Sequence, residues 1–469
     1  MNDIRQAPAA EVEFQGSSQT GAGQHLARLI AFYLPQFYPI PENDAWWGPG
    51  FTEWTNVAKA RPLYKGHKQP QLPADLGFYD LRLAETRERQ ADMARAAGIA
   101  GFCYWHYWFG GGRRILGRVF DEVLATGKPN YPFCLAWANH PWSGIWDGVP
   151  KHILVEQTYP GPADFQAHFR TVLPAFRDPR YLTVGGKPIF IVYSALDLPD
   201  TKEFTDLWSE LALKAGLPGV YFVGMSNKHD DEILRPFDML AEFGPLSLLG
   251  RLPRDFRSRA VRLWRRRDFG PLLNRIVPVS IPGPARYEYR DIIEAEMRTP
   301  LQEKYAPCVL PNWDNTPRSG QRGVVFDNAT PDLFEIYLKN TIGKVLHKPY
   351  QERIVFLKAW NEWAEGNYLE PDRETGWAYL DAIRRVVVQR MFRPESTAAS
   401  ITQERRDHAK LPRSHHFKDS WREPETLLGT PNSKVRPDWA RILNKFLLKS
   451  IDSRIYVPLF LDGQTGIGR

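Results

Sequence analysis

The chain has 469 residues, enough for one large barrel with tails, and its 25% charged and 43% hydrophobic residues describe an ordinary globular protein, neither a disordered chain nor a fibrous one. The net charge of +7 is modest, and no uncharged apolar run approaches the length of a membrane span. The opening MNDIRQAPAAEVEFQG lacks the basic and apolar regions of a secretory leader, so a non-exported, cytoplasmic chain is expected.

Residues 1–25, rich in Ala, Gly, Gln and Ser, are expected to be disordered. From there eight short β-rich apolar runs follow: 28–34, 99–105, 132–138, 188–194, 220–226, 238–243, 306–313 and 353–360. Most show no polar alternation, the mark of strands covered on both faces, and helical patterns such as 83–98 and 203–216 lie between several of them. The expected fold is therefore α/β, a (β/α)8 TIM-like barrel over 26–391 that ends in a helix over 376–391. An Arg-rich insertion, about 245–300, precedes the seventh strand, and a C-terminal extension, 392–469, follows the barrel. That extension carries one short amphipathic candidate, 438–451. Cys103, Cys134 and Cys308 sit singly in apolar runs, which suits reduced core residues and neither a disulfide framework nor a zinc site. No dinucleotide fingerprint, P-loop, H-E-x-x-H or C-x-x-C pair appears, and no cofactor or metal is expected.

Polar and aromatic clusters follow the strands, and in a barrel all of them converge on the C-terminal face. The WNEWAEG stretch after the eighth strand holds Glu362 and Glu365 three residues apart between Trp360 and Trp363. Two carboxyls so close push their pKa values apart and give an acid beside a base, which cleavage of a glycosidic bond requires. The bland alternative is an acidic first turn of a helix, which wins for an isolated ExxE and loses at the end of a buried strand among tryptophans. Eleven of the 16 tryptophans lie at such strand ends: Trp46, Trp47, Trp54, Trp105, Trp108, Trp137, Trp142, Trp146, Trp313, Trp360 and Trp363. A sugar-binding cleft accounts for that one-sided placement, with core packing an equal reading for any single Trp. Tyr33, Glu53, His106, Asn139, His140, Tyr193, Glu242, Asp314, Asn315 and Asn361 stand at the same ends as candidate hydroxyl-binding groups. Any one of them alone reads as well as a cap or turn residue.

Between Arg251 and Arg267 eight of seventeen residues are arginine, interleaved with Leu, Phe, Val and Trp. Such a segment suits an anionic membrane surface or the phosphate of a lipid-linked glycan, and equally a plain solvated helix; nucleic acid is not favoured, since no recognition motif accompanies it.

The stretches AFYLPQFYPIPENDAWWGPGFTEWTNV, GFCYWHYWF, WDNTPR and WNEWAEGNYLEPD resemble the WbsX family, glycosyltransferases of bacterial O-antigen and other surface-polysaccharide clusters. That family is similar to glycoside hydrolase family 99, the endo-α-mannosidases and endo-α-mannanases. The resemblance covers about 27–390 and implies a (β/α)8 barrel, no obligatory metal, and catalytic carboxyls at Glu362 and Glu365. It further implies a retaining mechanism in which the first glutamate assists the substrate's own 2-hydroxyl to form a 1,2-anhydro sugar, while the second acts as general acid and then base. Family 99 has His where Ala364 stands, and the Arg-rich segment and the tail lie outside the shared core. The expected function is thus to make or cleave a glycosidic bond in surface-polysaccharide metabolism, at the inner face of the membrane, on an oligosaccharide or lipid-linked glycan. The rival readings are a non-catalytic glycan-binding or assembly protein and a basic nucleic-acid binder.

Overall fold

The computed structural model describes residues 25–144, 149–226, 232–242, 248–250 and 283–387. The Arg251–Arg267 segment, Trp146, the 438–451 helix candidate and nearly all of the expected N-terminal and C-terminal tails lie outside the described residues.

Nine short parallel strands form the barrel: β1 (Arg28–Tyr33), β2 (Gly101–Trp108), β3 (Phe133–Trp137), β4 (Lys187–Val192), β5 (Tyr221–Met225), β6 (Met239–Ala241), β7 (Tyr305–Ala306), β8 (Cys308–Val309) and β9 (Ile354–Leu357). Hydrogen bonding runs in the order β7-β6-β5-β4-β3-β2-β1-β9-β8. β7 and β8 are the two halves of the seventh strand expected at 306–313, parted by Pro307. The first half pairs with β6 through Leu240 and Tyr305, the second with β9 through Cys308 and Phe356. A proline has no N–H to give the ladder, so the strand breaks there while the Pro307 carbonyl still accepts from Phe356 N–H at 2.9 Å. The barrel is thereby all but closed, and each of the eight expected apolar runs contributes to it.

Burial on both faces explains the unbroken apolar runs. All eight residues of β2, GFCYWHYW, are buried, and so are all but the first of β1 and β4. Cys103, Cys134 and Cys308 are buried free thiols. The helices between strands start and stop at residues suited to the task. Helix Thr201–Lys214 is capped by Asp200, whose carboxylate accepts Glu203 N–H at 2.8 Å. Helix Ala84–Ala97 ends on the left-handed Gly98. Residues 283–298, expected within the insertion, hold a strand, Ala285–Glu288, parallel to Val324–Asp327, and a helix, Tyr289–Arg298. That helix buries Ile292, Ile293 and Ala295 and packs on helix Pro331–Gly343, so it belongs to the barrel wall. Among the described residues no helix is long and apolar enough to cross a membrane.

Candidate active site

Three loops at the C-terminal ends of the strands bring one charge cluster together. The loop after β1 supplies Glu53, first residue of helix Glu53–Lys59, whose start is fixed by a capping box between Thr52 and Thr55. The loop after β8 supplies Arg318 on the short helix Thr316–Ser319. Lys358 follows β9 directly and its N–H bonds to the Val309 carbonyl at 3.0 Å. Glu362 lies in strand β10 (Asn361–Glu362) and Glu365 in the 3-10 turn Trp363–Glu365, and the chain returns through β11 (Asn367–Tyr368), antiparallel to β10.

Arg318 is the hub. Its Nε and Nη2 each reach Glu53 Oε2 at 3.1 Å, Nη2 reaches Glu362 Oε2 at 3.1 Å, and Nη1 donates to Glu365 Oε1 at 2.7 Å. Lys358 Nζ donates to Glu365 Oε2 at 3.1 Å and stands 5.5 Å from the centre of the Trp313 ring. Three carboxyls thus share two cations, and all five side chains are 12% exposed or less. A planar guanidinium with donors along three edges is the side chain able to serve three carboxylates at once.

The cluster separates the two central glutamates. Burial and the charge of Glu365 push Glu362 up from the ordinary glutamate range. For Glu365 burial acts in the same upward sense, but the charges of Lys358 and Arg318 and their hydrogen bonds outweigh it and hold the carboxyl below that range. Of the two, Glu362 is therefore the readier to hold a proton and Glu365 the readier to be ionised. Arg318 and Lys358 are held above their usual values by the carboxylates, which overcome the cost of burying the cations.

Aromatic rings flank the cluster on two sides. Tyr193, half-buried after β4, feels the charges of Lys358, Glu365 and Glu362; Trp105 meets it edge-on at 5.5 Å and His140 lies 5.0 Å away. On the other side Tyr107 feels Glu362, Arg318 and Glu53, and packs edge-on against Trp142, which meets the half-buried Trp46 at 5.8 Å. Half-buried Trp47 sits against Phe51, and half-buried Glu242 follows β6. Trp313 Nε1 and His140 Nδ1 are buried with no hydrogen-bond partner among the described residues.

The other expected site residues face inward and hold the scaffold. Tyr33 OH donates to Gln90 Oε1 at 2.6 Å, Trp54 Nε1 to the Tyr79 carbonyl at 2.8 Å, and Trp137 Nε1 to the Trp108 carbonyl at 2.8 Å. The imidazoles of His106 and His168 face each other at 2.8 Å, both pulled below the usual range by burial. Asn139 bonds the backbone of Ser194, and Asn361 the backbone of Leu34. Asp314 Oδ2 meets His67 Nε2 at 2.8 Å and Gln69 Nε2 at 2.7 Å, its Oδ1 accepts from Thr316, and Asn315 Oδ1 accepts Val324 N–H at 2.7 Å. Trp360 is fully buried and Trp363 stacks on Tyr368 at 3.7 Å. Their value to the site is indirect: Asp314 N–H donates to the Glu365 carbonyl at 2.7 Å and so fixes the turn that carries it.

Sequence reasoning named Glu53, Glu362 and Glu365 and passed over Arg318, Lys358 and Tyr107. A signal for Lys358 existed, since it is the one charge inside IVFLKAW and no solvated surface is available to a residue at a barrel strand end. Arg318 closes WDNTPR, and nothing in the sequence distinguishes it from any other loop arginine.

Comparison with known proteins gives a uniform picture. An uncharacterized protein WxcX of Xanthomonas campestris pv. campestris (strain B100) is 37% identical over 370 residues, 77% of this chain and 50% of that protein, and the WxcX of a second strain gives the same figures. The chain thus spans about half the length of the curated relatives it matches. Among solved structures it is similar to a glycoside hydrolase-like protein (TM-score 0.47, 15% identity, 78% of this chain and 95% of the other). It is also similar to the GH99 endo-alpha-mannosidase from Bacteroides thetaiotaomicron (TM-score 0.44, 15% identity, 81% and 98%). Residues 29–383 match the family described as Glycosyltransferase WbsX, and the chain belongs to that family of carbohydrate-active enzymes.

Proposed function

We propose that this protein makes or cleaves a glycosidic bond in bacterial surface-polysaccharide metabolism, with Glu362 and Glu365 as its acid/base pair. The observation that carries the reading is the Arg318 fork, which gathers Glu53, Glu362 and Glu365 beside half-buried aromatic rings at the C-terminal mouth of a barrel. Of the residues expected to bind sugar, those retained for direct contact are Trp46, Trp47, Glu53, Trp105, His140, Tyr193, Glu242 and Trp313, while the inward-facing set orients the loops. Trp313 Nε1 and His140 Nδ1 offer unpaired polar atoms to hydroxyls.

The proposed reaction retains configuration. Glu362 takes the proton of the sugar 2-hydroxyl, the 2-oxygen attacks the anomeric carbon to form a 1,2-anhydro sugar, and Glu365 protonates the departing oxygen. Glu365 then takes a proton from the acceptor hydroxyl that opens the anhydride, and Glu362 returns one to the 2-oxygen. An acceptor of water gives hydrolysis and an acceptor sugar gives transfer at the same site. Because the free site raises Glu362 and lowers Glu365, this division requires that order to reverse once the sugar lies between them, so that Glu365 holds the proton and Glu362 is the base. The substrate is an oligosaccharide or lipid-linked glycan, and the protein works in the cytoplasm at the inner face of the membrane.

The test is incubation with free and lipid-linked polysaccharide from the producing cell, with product mass and anomeric configuration followed by NMR. Turnover is expected to vanish in Glu362→Gln and Glu365→Gln, and a substrate whose leaving group needs no proton restores Glu365→Gln alone. Restoration of Glu362→Gln instead would show that the two glutamates work in the opposite roles, Glu362 as the acid and Glu365 as the base. Glycan binding with no turnover in the unaltered protein would leave a binding protein in place of an enzyme.

A further inference from the structure

Behind the catalytic turn lies a further carboxyl, outside the Arg318 cluster, that the proposed reaction does not use. Glu370 is 3% exposed and follows β11 in the same loop as Glu362 and Glu365. Its Oε1 accepts from Gln90 Nε2 at 2.6 Å, and its Oε2 accepts both from Tyr79 OH at 2.9 Å and from Trp363 Nε1 at 2.6 Å. These donors come from three separate parts of the barrel. Gln90 is on helix Ala84–Ala97, where its Oε1 also receives Tyr33 OH from β1. Tyr79 lies in the loop after β1, where its OH also receives Asn361 Nδ2 at 3.3 Å and its carbonyl receives Trp54 Nε1, next to Glu53. Trp363 stands inside the turn itself, between the two catalytic glutamates in sequence.

We infer that Glu370 is a positioning residue which, by binding the Trp363 indole to helix Ala84–Ala97 and to Tyr79, holds the turn Trp363–Glu365 in the register that keeps Glu365 on Arg318 and Lys358. The inference rests on the reading of Glu362 and Glu365 as the working pair, but its geometry does not depend on any substrate. A carboxylate is acceptor-only and can receive all three donors together; no neutral side chain of the same shape does so without turning one of its partners round. Burying it without a full countercharge costs free energy, which a buried chain keeps only where the hydrogen bonds repay it. The titratable groups that feel its charge are Tyr79 in the loop and Tyr33 on β1; Tyr33 in turn feels Tyr104 on β2 and Arg87 on helix Ala84–Ala97, and Arg87 is 3.1 Å from Glu122 and bonds the Leu81 carbonyl. No cation touches Glu370 among the described residues, and burial pushes it up to about 7 despite the three donors Trp363, Gln90 and Tyr79. Loss of its charge at lower pH turns it from an acceptor of every donor into a group that must itself donate.

The experiment uses the full chain with 13C-labelled glutamate carboxyls, the Glu362 and Glu365 signals being identified by Glu362→Gln and Glu365→Gln. In Glu370→Leu the turn loses its anchor, Glu365 slips from its cations, and its titration moves up by about one pH unit, the equivalent of one weakened charge-assisted bond. In Glu370→Gln the new amide oxygen keeps Trp363 and Tyr79, Gln90 turns its amide, and the Glu365 titration stays within a few tenths of its original place. The Trp363 indole signal of the unaltered protein shifts near pH 7, and that step is absent from Glu370→Gln. Should Glu370→Leu not fold, Trp363→Phe removes the same bond from the other side and is expected to move Glu365 in the same direction. A folded Glu370→Leu or Trp363→Phe with an unmoved Glu365 titration overturns the inference, as does a Glu370→Gln that moves it as far as leucine does. Since none of these readouts involves turnover, a failure here is separable from a failure to find a substrate.

Discussion

Replacing Arg318 by methionine, of similar length and without charge, is the most direct probe of the charge cluster. Arg318 contacts three carboxyls at 2.7–3.1 Å, and the four side chains are 4–12% exposed. At about 4 Å and an effective dielectric near 20, each such pair is worth roughly 4 kcal/mol of attraction, most of it offset by the cost of taking the charges out of water. Removing one partner of a buried pair costs about 3–5 kcal/mol, because the remaining charge keeps its burial cost. Lys358 alone cannot serve three carboxylates, so at least one must take up a proton in the folded variant while remaining ionised in the unfolded chain. Folding then binds a proton, and stability falls as pH rises, by about 1.4 kcal/mol per unit for one proton. The expected result is a penalty of about 3–5 kcal/mol at pH 8 that shrinks by most of its size at pH 5. Urea unfolding followed by tryptophan fluorescence at pH 5, 6.5 and 8, with the unaltered protein alongside, reads it directly. A penalty that is the same at all three values, or below about 1 kcal/mol at pH 8, refutes the reasoning, since either result means that Arg318 is not what balances the negative charge of the cluster.

Other outcomes are equally definite. Lys358→Met removes the leading cation at Glu365 and is expected to raise the titration of that carboxyl by about one pH unit or more, read by 13C NMR; a value unchanged in a folded variant shows that Arg318 suffices alone. Gly366 is left-handed (φ +58°), and a Cβ there would lie 2.8 Å from the backbone nitrogen of Asp314, so Gly366→Ala is expected to cost about 2–4 kcal/mol. Gly376 is also left-handed (φ +55°) but has open space, and Gly376→Ala is expected to cost only about 1 kcal/mol; equal penalties in thermal unfolding argue against the close approach. Glu370 is raised in the fold from 4.5 to about 7, so the folded protein binds the extra proton between those values and its stability falls as pH rises through that window, by up to about 3 kcal/mol. Glu370→Gln abolishes that slope, and matched urea midpoints at pH 5 and 7.5 check it; identical slopes in both proteins disprove the assignment.

Hydrophobic periodicity by itself determined the barrel. A strand buried on both faces has no choice but to be apolar throughout, so runs such as GFCYW and PIFIVY announce themselves, and helical spacing between them leaves few alternatives to a parallel closed sheet. The placing of Glu362 and Glu365 after the last strand followed from the same pattern, because a barrel sends all such ends to one mouth. What the sequence did not decide is which polar group at a strand end points to the mouth and which points to the wall. Asn361 and Glu362 are neighbours in one strand; side chains alternate across it, so Asn361 bonds the backbone of Leu34 while Glu362 meets Arg318. Asp314 and Arg318 share one loop, yet the first is consumed by His67, Gln69 and Thr316 and the second joins three carboxyls from two distant loops. Contacts across 265 residues, such as Arg318 with Glu53, leave no local periodicity to read. Only the folded chain, by requiring each buried charge to find its counterpart, settles where they go.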